Sequence, residues 1–452
     1  MPAGPGFDEV IASVREEIDP DPGERAALQE AVETVIERTE AVLADLDVAA
    51  DVTHVGSTAR GTWVSGDRDI DVFVRFDPSL ERETLERLGL RIGNEVLPDG
   101  REEYAEHPYV HGSVDGFAVD LVPCYRVGAA TEIESAVDRT PFHNDYLDAR
   151  IDADLASEIR LLKQFLKGIG AYGSDLRTQG YSGYITELFV LEYGDFEGAL
   201  EAAAGWQPQV ELDPEDHGTR SFSDPLVVID PTDPERNVAA VVTAENVARF
   251  THHAREFLVA PDSATFFPES PEPLTREGVR EAVESRAATP LAVRFDPPDL
   301  VDDQLYPQLR RSLAGLIRGL ETEGFDVLRG ETWAADTAVL FLELEVAELP
   351  AVERHEGPPV HVEAHASRFL ETYADEPVYG PFIDEDRYVV ERERAYPSAV
   401  GFVEEGLLDV ALGAHIETAL ESAGYEVRSG TAVARLADEF GTELATYFQP
   451  TA

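Results

Sequence analysis

The sequence predicts an α+β protein of several domains, and three observations carry that prediction. The chain has 452 residues, 43% of them hydrophobic and 28% charged, enough for about three domains of ~150 residues, each with a core. Its first third mixes a helical spacing of apolar residues with a period-two spacing. Beyond a Pro-rich break, strands and helices alternate again in a different order.

Taken in order, residues 24–46 place Leu28, Val32, Val35, Val42 and Leu46 at helical spacing with charges between them, an amphipathic helix. His54-Val55-Gly56-Ser57 reads as a polar turn. Asp69-Ile70-Asp71-Val72-Phe73-Val74 alternates like a strand, residues 79–96 read as a charged helix, and residues 117–125 as another strand. Residues 1–150 are therefore expected to form a small α/β domain. Helices are expected over 152–169, 181–205 and 237–259, a mostly helical domain at 151–265. Phe266-Phe267-Pro268-Glu269-Ser270-Pro271-Glu272-Pro273 is the linker candidate. In the remaining segment, 266–452, strands at 291–296, 325–333, 336–347 and 386–394 with helices at 306–322 and 362–374 give the order β-α-β-β-α-β. That is the order of a ferredoxin-like sheet, a scaffold common among RNA-binding modules. The last fifty residues add two helices on either side of Gly424-Tyr425-Glu426-Val427.

Charge and cysteine content narrow the class. The formal net charge is −54, and only Lys163 and Lys167 are lysines, leaving 34 arginines among the 36 basic residues. Such self-repulsion is tolerable where salt screens it, the Debye length being ~3 Å at molar salt. The acidic excess runs through every segment and reads as adaptation to a salt-rich cell interior, so it says little about partners. Cys124 has no partner for a disulfide or a cysteine zinc site. No stretch approaches the ~20 apolar residues of a membrane span, and Met1–Glu9 lacks the shape of a signal peptide. A cytoplasmic location without membrane association is expected.

The chemistry concentrates in Gly56-Ser57, an eleven-residue spacer, and Asp69-Ile70-Asp71. Two carboxylates at i and i+2 of a strand share a face, with Ile70 and Val72 turned to the core. Hard oxygen ligands that close together suit Mg²⁺. Asp120 lies mid-strand between Val119 and Leu121, where a charge is costly without a partner. Three carboxylates from adjacent strands would make a two-metal site. The Gly-Ser turn and Arg60 offer donors to phosphate oxygens.

This pattern resembles the DNA polymerase β-type nucleotidyltransferase superfamily. Within it, the sequence is similar to the archaeal CCA-adding enzymes (tRNA nucleotidyltransferases) through His54–Trp63, Asp69–Phe73, Thr140-Pro141-Phe142-His143, Arg160–Lys167, Asp230–Ala240, His355–Val360 and Tyr379-Gly380-Pro381-Phe382. The resemblance covers nearly the whole chain. It implies a polymerase β-like catalytic head at 1–150, a helical neck binding the nucleotide base at 151–265, and an RNA-binding body and tail at 266–452. It also implies catalytic metal ligands at Asp69, Asp71 and Asp120, with Mg²⁺ as cofactor. Ser57, Arg60, Lys163 and Tyr172 fall at the triphosphate, His143 beside the nucleotide and Arg236 near the incoming base; Lys167 has no assigned role. The partners implied are the tRNA 3′ end, CTP and ATP, with a homodimer among the expected assembly states. Template-independent addition and repair of the tRNA CCA end is the activity implied. The rivals are a poly(A)- or oligoadenylate-type polymerase on the same head, and a tRNA-binding scaffold without catalysis. His355-Glu356 lacks a second histidine at helical spacing, so no zinc site is expected there.

Overall fold

The computed structural model of the chain describes residues 6–104 and 106–451. Residues 1–5 of the N-terminal stretch considered above lie outside them. Two compact units divide at Glu269/Ser270, inside the Pro-rich stretch.

The first unit opens with α1 (Phe7–Ile18), α2 (Pro22–Ala44), β1 (Ala50–Val55), α3 (Gly56–Arg60), β2 (Asp69–Phe76), α4 (Arg82–Val96), β3 (Arg101–Tyr104), β4 (Pro108–Val114) and β5 (Phe117–Tyr125). The strands form one sheet in the order β1-β2-β5-β4-β3. It is antiparallel except for β2 and β5, a parallel pair that requires a crossover containing α4. Asp21 caps α2 by accepting from the Glu24 N–H, with Pro22 at the first helical position. Leu28 and Val35 of α2 and Leu85 and Ile92 of α4 pack on Ile70, Val72, Val119 and Leu121. Three strands of this sheet escaped the sequence reading. β1 and β3 are short and polar-rich, and β4 carries Pro108, His111 and Gly112, so none shows clean alternation.

The same unit continues with α5 (Thr140–Asp148), α6 (Ala153–Gly168), α7 (Gly183–Tyr193), α8 (Phe196–Gly205), β6 (Val210–Leu212), β7 (Leu226–Asp230), β8 (Asp233–Asn237) and α9 (Ala244–Val259). Phe165, Phe189, Phe196, Phe250 and Phe257 dominate this second core, and α1 joins it through Val10, Val14 and Ile18. The helix expected over 181–205 is two helices. Gly194, at φ +94°, ends α7, and the Asp195 carboxylate accepts from the Gly198 N–H at 2.7 Å to start α8. The helix expected from 237 begins only at Ala244, because Asp233–Asn237 pairs with β7 as a strand.

The second unit comprises α10 (Arg276–Arg286), β9 (Thr289–Phe295), α11 (Asp302–Thr322), β10 (Val327–Ala334), β11 (Ala338–Leu344), β12 (Val352–Pro359), α12 (Glu363–Thr372), β13 (Tyr379–Asp384), β14 (Arg387–Glu393), α13 (Ala399–Gly406), α14 (Ala414–Ala423), β15 (Glu426–Ser429) and α15 (Ala437–Phe448). Its main sheet, in the order β10-β11-β9-β15, is antiparallel throughout and has the ferredoxin-like order. Leu309, Leu313, Leu316 and Leu320 of α11 cover it. The fourth strand, however, is not the one expected. Residues 386–394 and helix 362–374 belong to an inserted three-stranded sheet, β12-β14-β13, and β15 closes the main sheet. β15 has four residues between Gly424 and Gly430, too few to show a period. β12 and β13 contain Pro358-Pro359 and Gly380-Pro381, which disguise strands at sheet edges.

Candidate active site

The parallel pairing of β2 with β5 aligns Asp71 directly with Asp120, and Asp69 with Ala118. Alternation turns Ile70 and Val72 into the core, so Asp69, Asp71 and Asp120, on the two adjacent interior strands, share the opposite face of the sheet. Burial first, then Asp120 and Asp69, push the Asp71 carboxyl up to about 6, against a smaller opposing pull from Arg60. Burial also raises Asp120; His111 pulls it back down, while Glu103 and Asp69 add to the rise. His111 Nδ1 lies 2.7 Å from Asp120 Oδ1, across the β4–β5 register that pairs the two residues. This is the partner that a charge in an apolar strand demands. His111 was not identified from sequence because its strand was not.

The turn before β2 is shaped by the same carboxylate. Gly56 has φ +84°, and a Cβ there would sit 2.3 Å from Asp71 Oδ2. A side chain is excluded on both counts. Ser57 follows on α3, half-buried.

Arg60 is turned inward. Its Nη2 and Nε donate to the two oxygens of Glu187 at 3.0 and 3.2 Å, and Nη1 donates to Asn144 Oδ1 at 2.5 Å. Glu187, only 2% exposed, also accepts from the Thr62 hydroxyl at 2.6 Å. The guanidinium thus touches protein acceptors and acts on Asp71 through its charge. The sequence signal for Glu187 was present but unread: a lone carboxylate in the apolar run Ile185–Val190.

Lys163 and Lys167, one turn apart on α6, both reach Asp67. Lys163 Nζ is 2.7 Å from Oδ2 and Lys167 Nζ 2.9 Å from Oδ1. Burial alone would raise the Asp67 carboxyl, but the two ammoniums outweigh it and hold it below its ordinary value. Both ammoniums lie over the Tyr172 ring, 5.5 and 5.6 Å from its centre. Burial, then Asp67, Glu187 and Asp69, push the Tyr172 hydroxyl up, so this ring is within electrostatic reach of the carboxylate cluster.

His143 and Arg236 meet at a third carboxylate. Asp230 is fully buried and accepts from His143 Nε2 at 2.8 Å and from Arg236 Nη1 at 3.0 Å through the same oxygen. Its other oxygen accepts from the Thr232 N–H and hydroxyl at 2.9 and 2.8 Å. Burial opposes ionisation here too, yet His143 and Thr232 win and the carboxyl is held well below its usual range. The His143 ring stacks on Tyr184, centroids 4.0 Å apart, and Tyr184 also donates to Asp230 at 3.4 Å. Tyr184 and Glu187 are neighbours on one face of α7. This helix therefore links the carboxylate that anchors Arg60 to the ring that supports His143. Arg236, 39% exposed, stands on the wall of a 690 Å³ cavity.

Behind the Gly-Ser turn, His54 is pressed down to about 4, chiefly by burial and next by Arg60; its Nε2 is 2.9 Å from Thr58 Oγ1. A folded state that holds this ring neutral refuses a proton that the unfolded chain accepts near 6.5. Stability from this group is therefore complete above 6.5 and is lost as pH falls towards 4, by on the order of 3 kcal/mol. His54→Gln should show a correspondingly shallower loss of urea stability between pH 7 and 5. An unchanged pH slope would contradict the assignment.

Three regions of the chain match known protein families. Residues 36–143 match the family described as nucleotidyltransferase domain, 157–267 the second domain of tRNA nucleotidyltransferase, and 286–430 the C-terminal domain of CCA-adding enzyme. The CCA-adding enzyme of Haloarcula marismortui is 57% identical over 98% of this chain and 99% of its own length. That of Halobacterium salinarum is 60% identical, also over 98% and 99%. The Methanosarcina barkeri enzyme is 44% identical over 85% of this chain and 86% of its own. Haloarchaeal relatives of full length fit the uniformly acidic composition. With head, second and C-terminal domains matched in order and three carboxylates converging behind a Gly-Ser turn, the chain belongs to the CCA-adding enzyme family.

Proposed function

We propose that the protein builds and repairs the 3′-terminal CCA of tRNA from CTP and ATP without a nucleic-acid template. The observation that carries the mechanism is the Asp71–Asp120 register, which sets two half-buried carboxylates side by side with exposed Asp69 next along β2. Asp69, Asp71 and Asp120 are hard oxygen donors whose mutual repulsion a divalent cation relieves, and they fit Mg²⁺. When bound there, Mg²⁺ supplies the charge that lowers the pKa of an attacking ribose hydroxyl and offsets the charge on departing pyrophosphate. The tRNA 3′-hydroxyl attacks the α-phosphate of CTP, twice, and then of ATP, with pyrophosphate released each time. His111 orients Asp120 and offsets part of the rise that burial imposes on its carboxyl. Ser57, Lys163 and Tyr172 hold the triphosphate, and Arg60, locked on Glu187, adds positive charge behind it. Asp230 fixes His143 beside the nucleotide and Arg236 towards the base.

In this reading residues 1–150 are the transfer head, 151–265 the neck and 266–452 the body and tail. The latter hold the tRNA acceptor arm, by shape and backbone contacts, through Arg368, Arg387, Arg392 and Arg394. Three of these already bind protein oxygens: Arg387 at Gly357, Arg392 at Glu353 and Arg394 at Glu323. That leaves Arg368, exposed on α12, as the least committed of the four. Among the described residues no helix is long and apolar enough to cross a membrane. Action in the cytoplasm without membrane association, and a homodimer, complete the proposal; light scattering at molar KCl tests the dimer.

The deciding experiment incubates the protein with tRNA lacking its 3′ end, labelled CTP and ATP, and Mg²⁺ at molar KCl, and sequences the product. Two cytidines then one adenosine are expected. Runs of adenosine would favour the poly(A)-type reading, and no incorporation the binding scaffold. Arg236→Ala should shift the CTP-to-ATP ratio or admit UTP by about ten- to a hundredfold, the worth of one or two hydrogen bonds to a charged group. Inhibition by free triphosphate should change much less. Selection and rates like the parent's would remove Arg236 from the site.

A further inference from the structure

The helical spacing that His355-Glu356 lacks is present on α9. His252 and His253 are the one adjacent pair among the eleven histidines of the chain, and Glu256 follows them at i+4 and i+3. Those offsets bring side chains onto one helix face, so Glu256 stands one turn above the two imidazoles and between them. The His252 and His253 rings lie edge to face, with 5.0 Å between centroids. One nitrogen or oxygen from each of the three residues falls within 4.8 Å of the other two. His252 Nε2 and Glu256 Oε2 are 3.3 Å apart.

That last spacing has a chemical meaning. Two ligands bound to one Zn²⁺ at ~2.0–2.1 Å, meeting at the tetrahedral angle, lie about 3.3 Å from each other. The rival reading is an ion pair on an exposed helix face, which is worth little. It uses two of the three residues, whereas a metal ion uses all three. The helix that carries them is firmly placed. Phe250, Ala254 and Phe257 are buried in the second core, and Arg255 Nε donates to Ala204 O at 2.6 Å, tying α9 to the end of α8. The backbone is thus fixed, while side chains 41% exposed at His252 and 66% at Glu256 can close on an ion without moving it. His252 also stands at a 520 Å³ cleft lined by Trp206, Pro225 and Val247. The cleft leaves space for the water that completes a three-ligand zinc site.

We propose that His252, His253 and Glu256 form a site for a divalent transition-metal ion, with Zn²⁺ the best match and water the fourth ligand. Two imidazoles with one carboxylate suit Zn²⁺, whereas Mg²⁺ takes oxygen ligands. The site shares no residue with Asp69, Asp71 and Asp120 and is independent of the transfer chemistry. A bound ion clamps the C-terminal half of α9.

The test is equilibrium dialysis of the chelator-stripped full chain against labelled Zn²⁺ at molar KCl, with excess Mg²⁺ to fill oxygen-only sites. One Zn²⁺ per chain is expected to bind above the background of weak surface sites. His252→Gln and Glu256→Gln should each weaken it by at least about tenfold, the lower end of the cost when merely an outer partner of a ligand is lost. Asp71→Asn should bind Zn²⁺ like the parent. Co²⁺ in place of Zn²⁺ should give the intense visible bands of tetrahedral coordination, and His252→Gln should abolish them. If both glutamine variants bind within about twofold of the parent, the three residues are an ordinary helical ion pair with a neighbour, and the proposal fails. It fails equally if Asp71→Asn is the variant that loses the ion, or if the parent takes up no stoichiometric Zn²⁺. Should His252→Gln not fold, His253→Gln decides the matter in the same way.

Discussion

Asp71→Asn should lower incorporation of both CTP and ATP by about 10²–10³, the scale seen when one group stabilising developing charge is removed, while the protein becomes more stable. The second half follows from the same electrostatics. The folded protein holds the Asp71 carboxyl near 6, against 3.8 for the free group. A carboxyl raised on folding contributes stability below its unfolded pKa, and that contribution disappears as pH rises through the folded value. At neutral pH the ionised group therefore costs on the order of 3 kcal/mol. Asparagine keeps the shape and removes the charge, so the variant should melt higher than the parent in the absence of divalent cation. It should also lose most of the further rise in Tm that Mg²⁺ gives the parent, because binding to the folded state alone stabilises by mass action. A variant less stable than the parent without Mg²⁺, or one still turning over at a near-normal rate, would contradict the three-carboxylate site.

Glu187→Ala should cost about 3–5 kcal/mol of stability, the usual penalty for stranding one partner of a buried ion pair. Arg60 and Glu187 meet at two points, and Thr62 depends on the same carboxylate. The alanine variant leaves the guanidinium with Asn144 as its remaining acceptor. Urea titration in molar KCl would read the loss. Because the two residues form one unit, Arg60→Ala with Glu187→Ala should cost less than the two single losses added together. A Glu187→Ala loss below about 1 kcal/mol, the value of an exposed pair, would mean that water enters and the pair is not buried in solution. The variant should also raise the KM for both nucleotides, since Arg60 would no longer be held behind the triphosphate.

Much of the transfer chemistry was legible along the chain because it is written in short-range pattern. The alternation in Asp69–Phe76 is local, and it alone puts Asp69 and Asp71 on one face. The run Phe117–Tyr125 is apolar enough to make Asp120 conspicuous. Gly56 before Ser57 marks a turn that has no room for a side chain, and the structure supplies the reason: Asp71 Oδ2 occupies the space. The order of strands in the second unit was likewise readable up to β11. Beyond it the inserted strands, with prolines and charges on both faces, broke the pattern, and a four-residue strand far down the chain took the fourth place in the sheet.

What the sequence by itself determined is which residues the proposed chemistry draws on: the three aspartates, the Gly-Ser turn, and two lysines in a chain otherwise built with arginine. Only the tertiary structure decided whom each one meets. Strand register brought Asp120 beside Asp71 and His111 against Asp120. Helix α7 delivered Glu187 to Arg60 and Tyr184 to His143, and a fixed loop gave Asp67 to both lysines. Periodicity is a property of neighbours in the chain, so it reveals which way a side chain faces. The partner of a buried charge is chosen by distance in space, through backbone pairing and packing between segments tens of residues apart, and that choice leaves no local mark.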